Sequence, residues 1–274
     1  MIFNEYIKNS KKILRSYHNP LKLPENLGKK DRLEREFYDQ EAQKYLDDFK
    51  ESLFLYDPNE KLPLSHQYFY SRLQNVEGKH ILDIGCGHGF TSVVLAKRGA
   101  RVTSIDVSPK MIELTRRNAS FNRVEDRVKT AVMSAQNLKF AENTFEHVVG
   151  LGILHHLNMD FAGREIYRVL KRGGSAIFIE PRIPFKFLIF VRSVFPNRCY
   201  ESPAGSQLTD EEIGGFSRRF KRSRIHYFLF LRKLARVPIL RKWEDALDSI
   251  DAALIRKYPW MKRLYWAFVV QVYK

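Results

Sequence analysis

The sequence predicts an α/β protein in which a seven-stranded sheet is covered by helices on both faces, with a helical extension ahead of it. Three observations carry that prediction. From His80 onward, short apolar runs alternate with helical stretches, the rhythm of strand–helix–strand units. Those runs are nearly continuous in apolar residues, as in strands of a parallel sheet buried on both faces. The first of them passes into the first helix through Gly85, Gly87 and Gly89, at strict two-residue spacing.

The elements follow in order. Residues 1–75 read as a mainly helical N-terminal extension or lid, broken by Pro20, Pro24, Pro58 and Pro63. Within it, "DRLEREFYDQEAQKYLDDF" places Leu33, Phe37, Ala42, Tyr45 and Phe49 at helical spacing. Residues 76–274 form the main domain. "HILDIG" is its first strand, and "TSVVLAKRG" a helix stopped at Gly99. "RVTSIDVS" is the second strand, after which Ser108 and Pro109 cap and open the helix "KMIELTRRNAS". "DRVKTAVM" and "FEHVVGLG" are strands three and four, "FAGREIYRVLKRGG" a helix ending in glycines, and "SAIFIEP" strand five. An insertion over 182–208 follows. Thr209 and Glu212 match a capping box that opens "DEEIGGFSRRF". "RIHYFLFL" reads as strand six and "LYWAFVVQVY" as strand seven. Between them "WEDALDSIDAALIRKY" is an amphipathic helix with Trp243, Ala246, Leu247, Ile250, Ala253 and Leu254 on one face.

Composition bounds the partners. The 274 residues are 44% hydrophobic and 28% charged, which reads as globular rather than disordered. A net charge of +16 favours an anionic partner: nucleic acid, a membrane surface or an acidic substrate. Cys86 and Cys199 are the only cysteines, so no disulfide framework is implied and the reducing cytoplasm is the expected compartment. The first residues lack a signal-peptide core. The most apolar stretch, Ile183–Phe195, is interrupted by Lys186 and Arg192 and is shorter than the roughly 20 residues of a membrane span.

The glycine turn sets the chemistry. Small residues where a strand meets a helix let backbone amides approach a ligand at the carboxyl edge of a sheet. A dinucleotide fingerprint needs its third glycine at Phe90, and here it falls one residue earlier. The strand also delivers Asp83, whose charge repels a pyrophosphate. A ligand with a cationic head and an adenosine tail suits the turn better, and S-adenosylmethionine has that shape. Asp106, about twenty residues after the first glycine, is placed to accept both ribose hydroxyls.

"ILDIGCGHG", "VTSIDVSPKMIELTRRNA", "NLKFAENTFEHVVG", "ILHHL" and "IYRVLKRGGSAIFIEP" together resemble the successive motifs of class I S-adenosylmethionine-dependent methyltransferases, nearest the small-molecule subgroup that includes ubiquinone and menaquinone biosynthesis enzymes. The resemblance covers Glu36 to Pro181 well and the remainder loosely. It implies a Rossmann-like, mostly parallel sheet with an antiparallel last strand, and an N-terminal helix over the cofactor. It implies that Asp83, Gly85 and Gly87 line the methionine end, that Asp106 holds the ribose, that Ala135 and Gln136 sit at the adenine edge, and that Leu151 lies near the end of strand four. Ser134 departs from the family, which often has an acid there.

His155 and His156 are the candidate bases for deprotonating an acceptor. A structural role at a helix start is the competing reading for the pair. Glu180 and Arg182 are alternative substrate contacts, His88 and Cys86 read as fillers of the turn, and no Cys/His spacing suggests a metal. Two features bear on the acceptor: the apolar 182–208 insertion as a substrate cap, and the tract 216–242 with ten Lys/Arg and no acid. A lipid-like small molecule met at an anionic membrane surface explains both. An RNA methyltransferase using the basic tract is the alternative. Oligomeric state leaves no mark in the sequence.

Overall fold

The structure, a computed structural model, describes residues 28–47, 53–59, 62–182, 208–228, 231 and 242–274. Almost all of the 182–208 insertion, Phe49, Cys199 and the tract's residues 229–230 and 232–241 lie outside the described residues.

Strands β1 (His80–Ile84), β2 (Arg101–Asp106), β3 (Val128–Val132), β4 (Phe145–Leu151), β5 (Leu170–Pro181), β6 (Arg222–Phe228) and β7 (Ala267–Tyr273) form one sheet in the order β3-β2-β1-β4-β5-β7-β6. The pairs among β1 to β5 are parallel, and β7 runs antiparallel to both β5 and β6. The expected seven strands and reversed last strand are both present. Neighbouring residues on a strand point to opposite faces, so the core divides. Leu82, Ile84 and Phe178 pack on one side, and Ile81, Val102 and Ile177 on the other.

The described α-helices are α1 (Lys29–Asp47), α2 (Leu64–Ser71), α3 (Phe90–Lys97), α4 (Pro109–Phe121), α5 (Met159–Val169), α6 (Asp210–Ser217) and α7 (Glu244–Lys257), with 3-10 turns at Glu125–Arg127, Leu154–His156 and Pro259–Leu264. On the Ile81 face, α2, α3 and α4 contribute Phe69, Val93 and Ala119. On the other, α5 and α6 contribute Ile166 and Phe216. The local signals hold. Gly99 (φ +86°) ends α3, Ser108 Oγ accepts the Met111 N–H to start α4, and Thr209 with Glu212 closes a complete capping box on α6.

Three expectations are corrected. The helix expected to run into Gly174 stops at Val169, and residues 170–174 enter β5 instead. The glycines serve a register shift between β4 and β5, where a Cβ on Gly174 would lie 2.7 Å from the Glu146 carbonyl oxygen. In α1, Ala42 is buried with Tyr45 packed beside it, but Leu33 is 45% exposed whereas Asp31 and Glu34 are buried, so acids share the inward face with the apolar residues. In α7, Trp243 is 55% and Ile250 47% exposed, while Asp251 is buried and accepts the Leu231 N–H.

Candidate active site

The order of strands reverses beside β1, where β2 lies on one side and β4 on the other. The carboxyl ends of strands at such a switch point frame a crevice. A cavity of about 290 Å³ opens there.

Its floor is the turn after β1. Gly85, Gly87 and Gly89 all take positive φ, a region that favours glycine. A Cβ on Gly85 would come within 2.5 Å of Ile153, and one on Gly89 within 2.9 Å of the Thr115 Cα. Gly89 is the N-cap of α3, which is why the third glycine precedes Phe90. A Cβ on Gly87 would meet nothing within 4 Å; that residue borders the cavity.

Asp106 ends β2. Its Oδ1 accepts the Ser108 N–H at 2.9 Å and its Oδ2 the Gly87 N–H at 3.1 Å. Each carboxylate oxygen can accept a second bond, and Asp106 lines the cavity. Burial raises its pKa to about 6. Asp83 lies elsewhere. It is fully buried, accepts the Ser92 hydroxyl at 2.5 Å, and is not among the lining residues. Burial, opposed by the Ser92 bond and reinforced by Asp106, pushes its pKa to about 7.

Helix α1 forms the roof. Asp31, Glu34, Tyr38, Glu41 and Tyr45 line the cavity and follow one another by three and four residues, which is one face of a helix. Asp31 Oδ1 accepts the Gln136 amide at 2.6 Å, and Gln136 Oε1 accepts the Asn158 N–H. Glu34 Oε1 lies 3.0 Å from His156 Nδ1, and Tyr38 Oη 3.1 Å from His156 Nε2. Asp39 Oδ1 accepts the Ser108 hydroxyl at 2.5 Å. With Asp106, four carboxylates line the cavity, and the described lining contains no Lys or Arg. In a chain of net charge +16 this is a local reversal of sign.

The wall after β4 is the turn that carries His155 and His156. Glu180, wholly buried near the end of β5, accepts the Ile153 and Leu154 N–H groups on Oε1 at 2.9 and 2.7 Å. Its Oε2 lies 2.7 Å from His155 Nδ1. A carboxylate only accepts, so Nδ1 carries the proton and Nε2 is the basic nitrogen. Among the described residues no bond to that Nε2 is made. His156, in contrast, uses both nitrogens.

Gly85, Gly87, Asp106, Ala135, Leu151 and His156 therefore line the cavity, while Asp83, Gln136 and His155 are not among its lining residues. Ser134 turns back to accept the Gln136 N–H. His88 lines the cavity, packs edge-on against Tyr45 and has its pKa lowered by burial. Cys86 is buried with its thiol pKa pushed up. Arg182 bonds Asp210 and Tyr265. The acids of α1 were missed because apolar spacing was followed; their own spacing was the available signal.

Residues 82–178 match the family model described as a methyltransferase domain. Demethylmenaquinone methyltransferase of Symbiobacterium thermophilum is 33% identical over 128 residues, covering 45% of this chain and 51% of that protein. Ubiquinone biosynthesis O-methyltransferase of Xanthomonas oryzae is 28% identical over 204 residues, covering 73% and 75%. The chain thus spans about half the length of the first of these relatives. Among solved structures, geranyl diphosphate C-methyltransferase from Streptomyces coelicolor, with magnesium, geranyl diphosphate and S-adenosyl-L-homocysteine bound, superposes with a TM-score of 0.60 at 16% identity, covering 91% of this chain and 99% of that one. That likeness is one of fold.

Proposed function

We propose, from the premise that residues 82–178 are a methyltransferase domain in a chain with the class I methyltransferase fold, that this protein moves a methyl group from S-adenosylmethionine to a small, lipophilic acceptor. One observation carries the reading: the four carboxylates around a cavity without Lys or Arg among its described lining residues. Such a cavity attracts a sulfonium and an ammonium and repels a diphosphate.

The residues fit the donor. Asp106 retains acceptor capacity on both oxygens for a ribose diol. Gly85 lets the turn pass against Ile153 and Gly87 leaves its side-chain space open at the methionine end, while Ala135 and Leu151 line the wall and Gln136 supports the adenine edge through its bond to Asp31. Asp83 acts at one remove, adding negative potential beneath the turn. When bound, S-adenosylmethionine supplies a methyl group on a sulfonium leaving group, so the bond to sulfur breaks with its electron pair as the bond to the acceptor forms.

What the protein adds is alignment, exclusion of water and a place for a proton. His155 Nε2 takes the acceptor's proton, held in register by Glu180 on Nδ1. His156 pins α1 to the wall through Glu34 and Tyr38. The lipophilic acceptor is supported by the relatives, whose names specify a demethylmenaquinone and a step of ubiquinone synthesis. We place the reaction in the cytoplasm, on the cysteine usage; among the described residues no helix is long and apolar enough to cross a membrane.

Calorimetry with S-adenosylhomocysteine tests the donor site. Binding is expected, with Asp106→Asn weakening it by about tenfold or more, the value of a lost charged hydrogen bond. His155→Gln is expected to bind normally and lose turnover by roughly 100-fold. Tight NAD binding without any response to adenosylhomocysteine would overturn the reading.

A further inference from the structure

Pro181 of β5 and Phe228 of β6 both pair with Ala267, the first residue of β7. The chain between Phe228 and Ala267 therefore leaves and returns at the carboxyl edge of the sheet, the edge that bears the cavity. This excursion, residues 229–266, holds nine Lys and Arg against four Asp and Glu. Helix α7 and the 3-10 turn Pro259–Leu264 are its described part.

Along α7, Trp243, Ala246, Ile250 and Ala253 step by three and four residues and are all exposed. Past the helix end Tyr258 and Trp260, the latter 61% exposed, also meet solvent. Cations stand at both ends. Lys242 Nζ lies 5.8 Å from the Trp243 ring centre and Lys257 Nζ 5.4 Å from that of Tyr258, and Arg256 is exposed beside them. The helix is anchored beside this stripe: Leu254, four residues after Ile250, packs on the core and Asp251 is buried.

An apolar stripe ending in tryptophan and tyrosine, with lysines folded over the rings, matches the chemistry of a bilayer interface. Indole rings settle at headgroup depth, lysine stems lie along apolar surface, and their charges meet anionic lipid. We propose that α7 and its following turn form a docking face for an anionic membrane surface, holding the cavity-bearing edge of the sheet towards the bilayer. The face does not depend on the methyl-transfer reading, since it needs no cofactor to bind.

The test is flotation of the full chain with phosphatidylcholine vesicles, with and without phosphatidylglycerol, at low and high salt. Wild type is expected to float with the anionic vesicles, more weakly as salt rises. The triple variant Trp243→Ser, Ile250→Ser, Trp260→Ser is expected to lose at least about tenfold in partitioning, as removal of inserted apolar area requires. Its thermal unfolding should match wild type, because these side chains are exposed. Brominated lipids should quench wild-type tryptophan fluorescence and spare the variant, in which Trp266 alone remains. Failure to float, equal flotation of the variant, binding to RNA in place of vesicles, or a dimer that the variant abolishes would each overturn the proposal. Loss of the donor-binding result alone would leave the vesicle result standing.

Discussion

In α1 the residues that line the cavity are Asp31, Glu34, Tyr38, Glu41 and Tyr45; in and beside α7 the described apolar residues Trp243, Ala246, Ile250 and Ala253 meet solvent. Both stripes advance by three and four residues, so each is a single helix face. They invert the ordinary rule in opposite directions. The inward acids of α1 are costly to bury and hold specific partners, His156 and Gln136. The outward apolar residues of α7 sit opposite a buried aspartate that accepts a backbone N–H. A helix that buries charge is organised around what enters the protein. A helix that exposes apolar surface is organised around what the protein meets.

Replacing Asp31 by Asn and Glu34 by Gln keeps shape and much of the hydrogen bonding while removing two charges. Affinity for S-adenosylmethionine should fall roughly tenfold or more, and affinity for S-adenosylhomocysteine, which lacks the sulfonium charge, should fall less. Calorimetry with both ligands measures the difference. Equal losses would mean that the acids only fasten the helix, and α1 would cease to be the inward counterpart of α7.

The next test concerns the floor beneath α1. Asp83 and Asp106 have folded pKa values raised by burial to about 7 and about 6, above the 3.8 of an unperturbed carboxyl. Between those values the folded state holds more protons than the unfolded one. Their contribution is therefore present at low pH and lost as pH rises through the folded pKa values. Ligand-free protein should lose stability between pH 5 and pH 8, by ~1 kcal/mol or more, since one pKa unit is worth about 1.4. Asp83→Asn should flatten that slope and raise the midpoint of thermal unfolding at pH 8. A slope unchanged by the substitution would show that Asp83 ionises as readily in the folded protein as in the unfolded one, and that its burial carries no cost.

How much of this could be read in the sequence depended on the range of the forces involved. Gly85, Gly87 and Gly89, the Ser108 cap and the Thr209–Glu212 box act within a few residues, and each occurs where its pattern implied. Asp106 was legible because a strand end fixes where its side chain goes. Asp83 was legible as an important acid but not as a buried one, because Ser92, nine residues on, decides its direction. Gly173 and Gly174 looked like a helix stop, yet their use is set by the Glu146 carbonyl on a neighbouring strand. The faces of α1 and α7 were legible only in part, Ala42 and Leu254 turning inward and Leu33 and Ile250 outward, for the same reason. Periodicity announces that a helix has a face; only partners distant in sequence decide which way it turns. Apolar spacing was weighed in α1 although the acidic spacing there was just as regular.

The smallest effect is the sharpest discriminator at α7. If its apolar stripe truly faces solvent, Ile250→Ser should change stability by no more than about 0.5 kcal/mol, as for exposed positions generally. Asp251→Ala, on the same helix, removes a buried carboxylate and strips an acceptor from the half-buried Leu231 N–H. It should cost roughly 1–3 kcal/mol. The ranking is opposite to the one hydropathy assigns, in which the isoleucine holds the helix and the aspartate is dispensable. Urea midpoints of the two variants decide it. Should Ile250→Ser prove the more damaging, the helix would have its apolar face inward after all. The docking face and the contrast with α1 would then fall together.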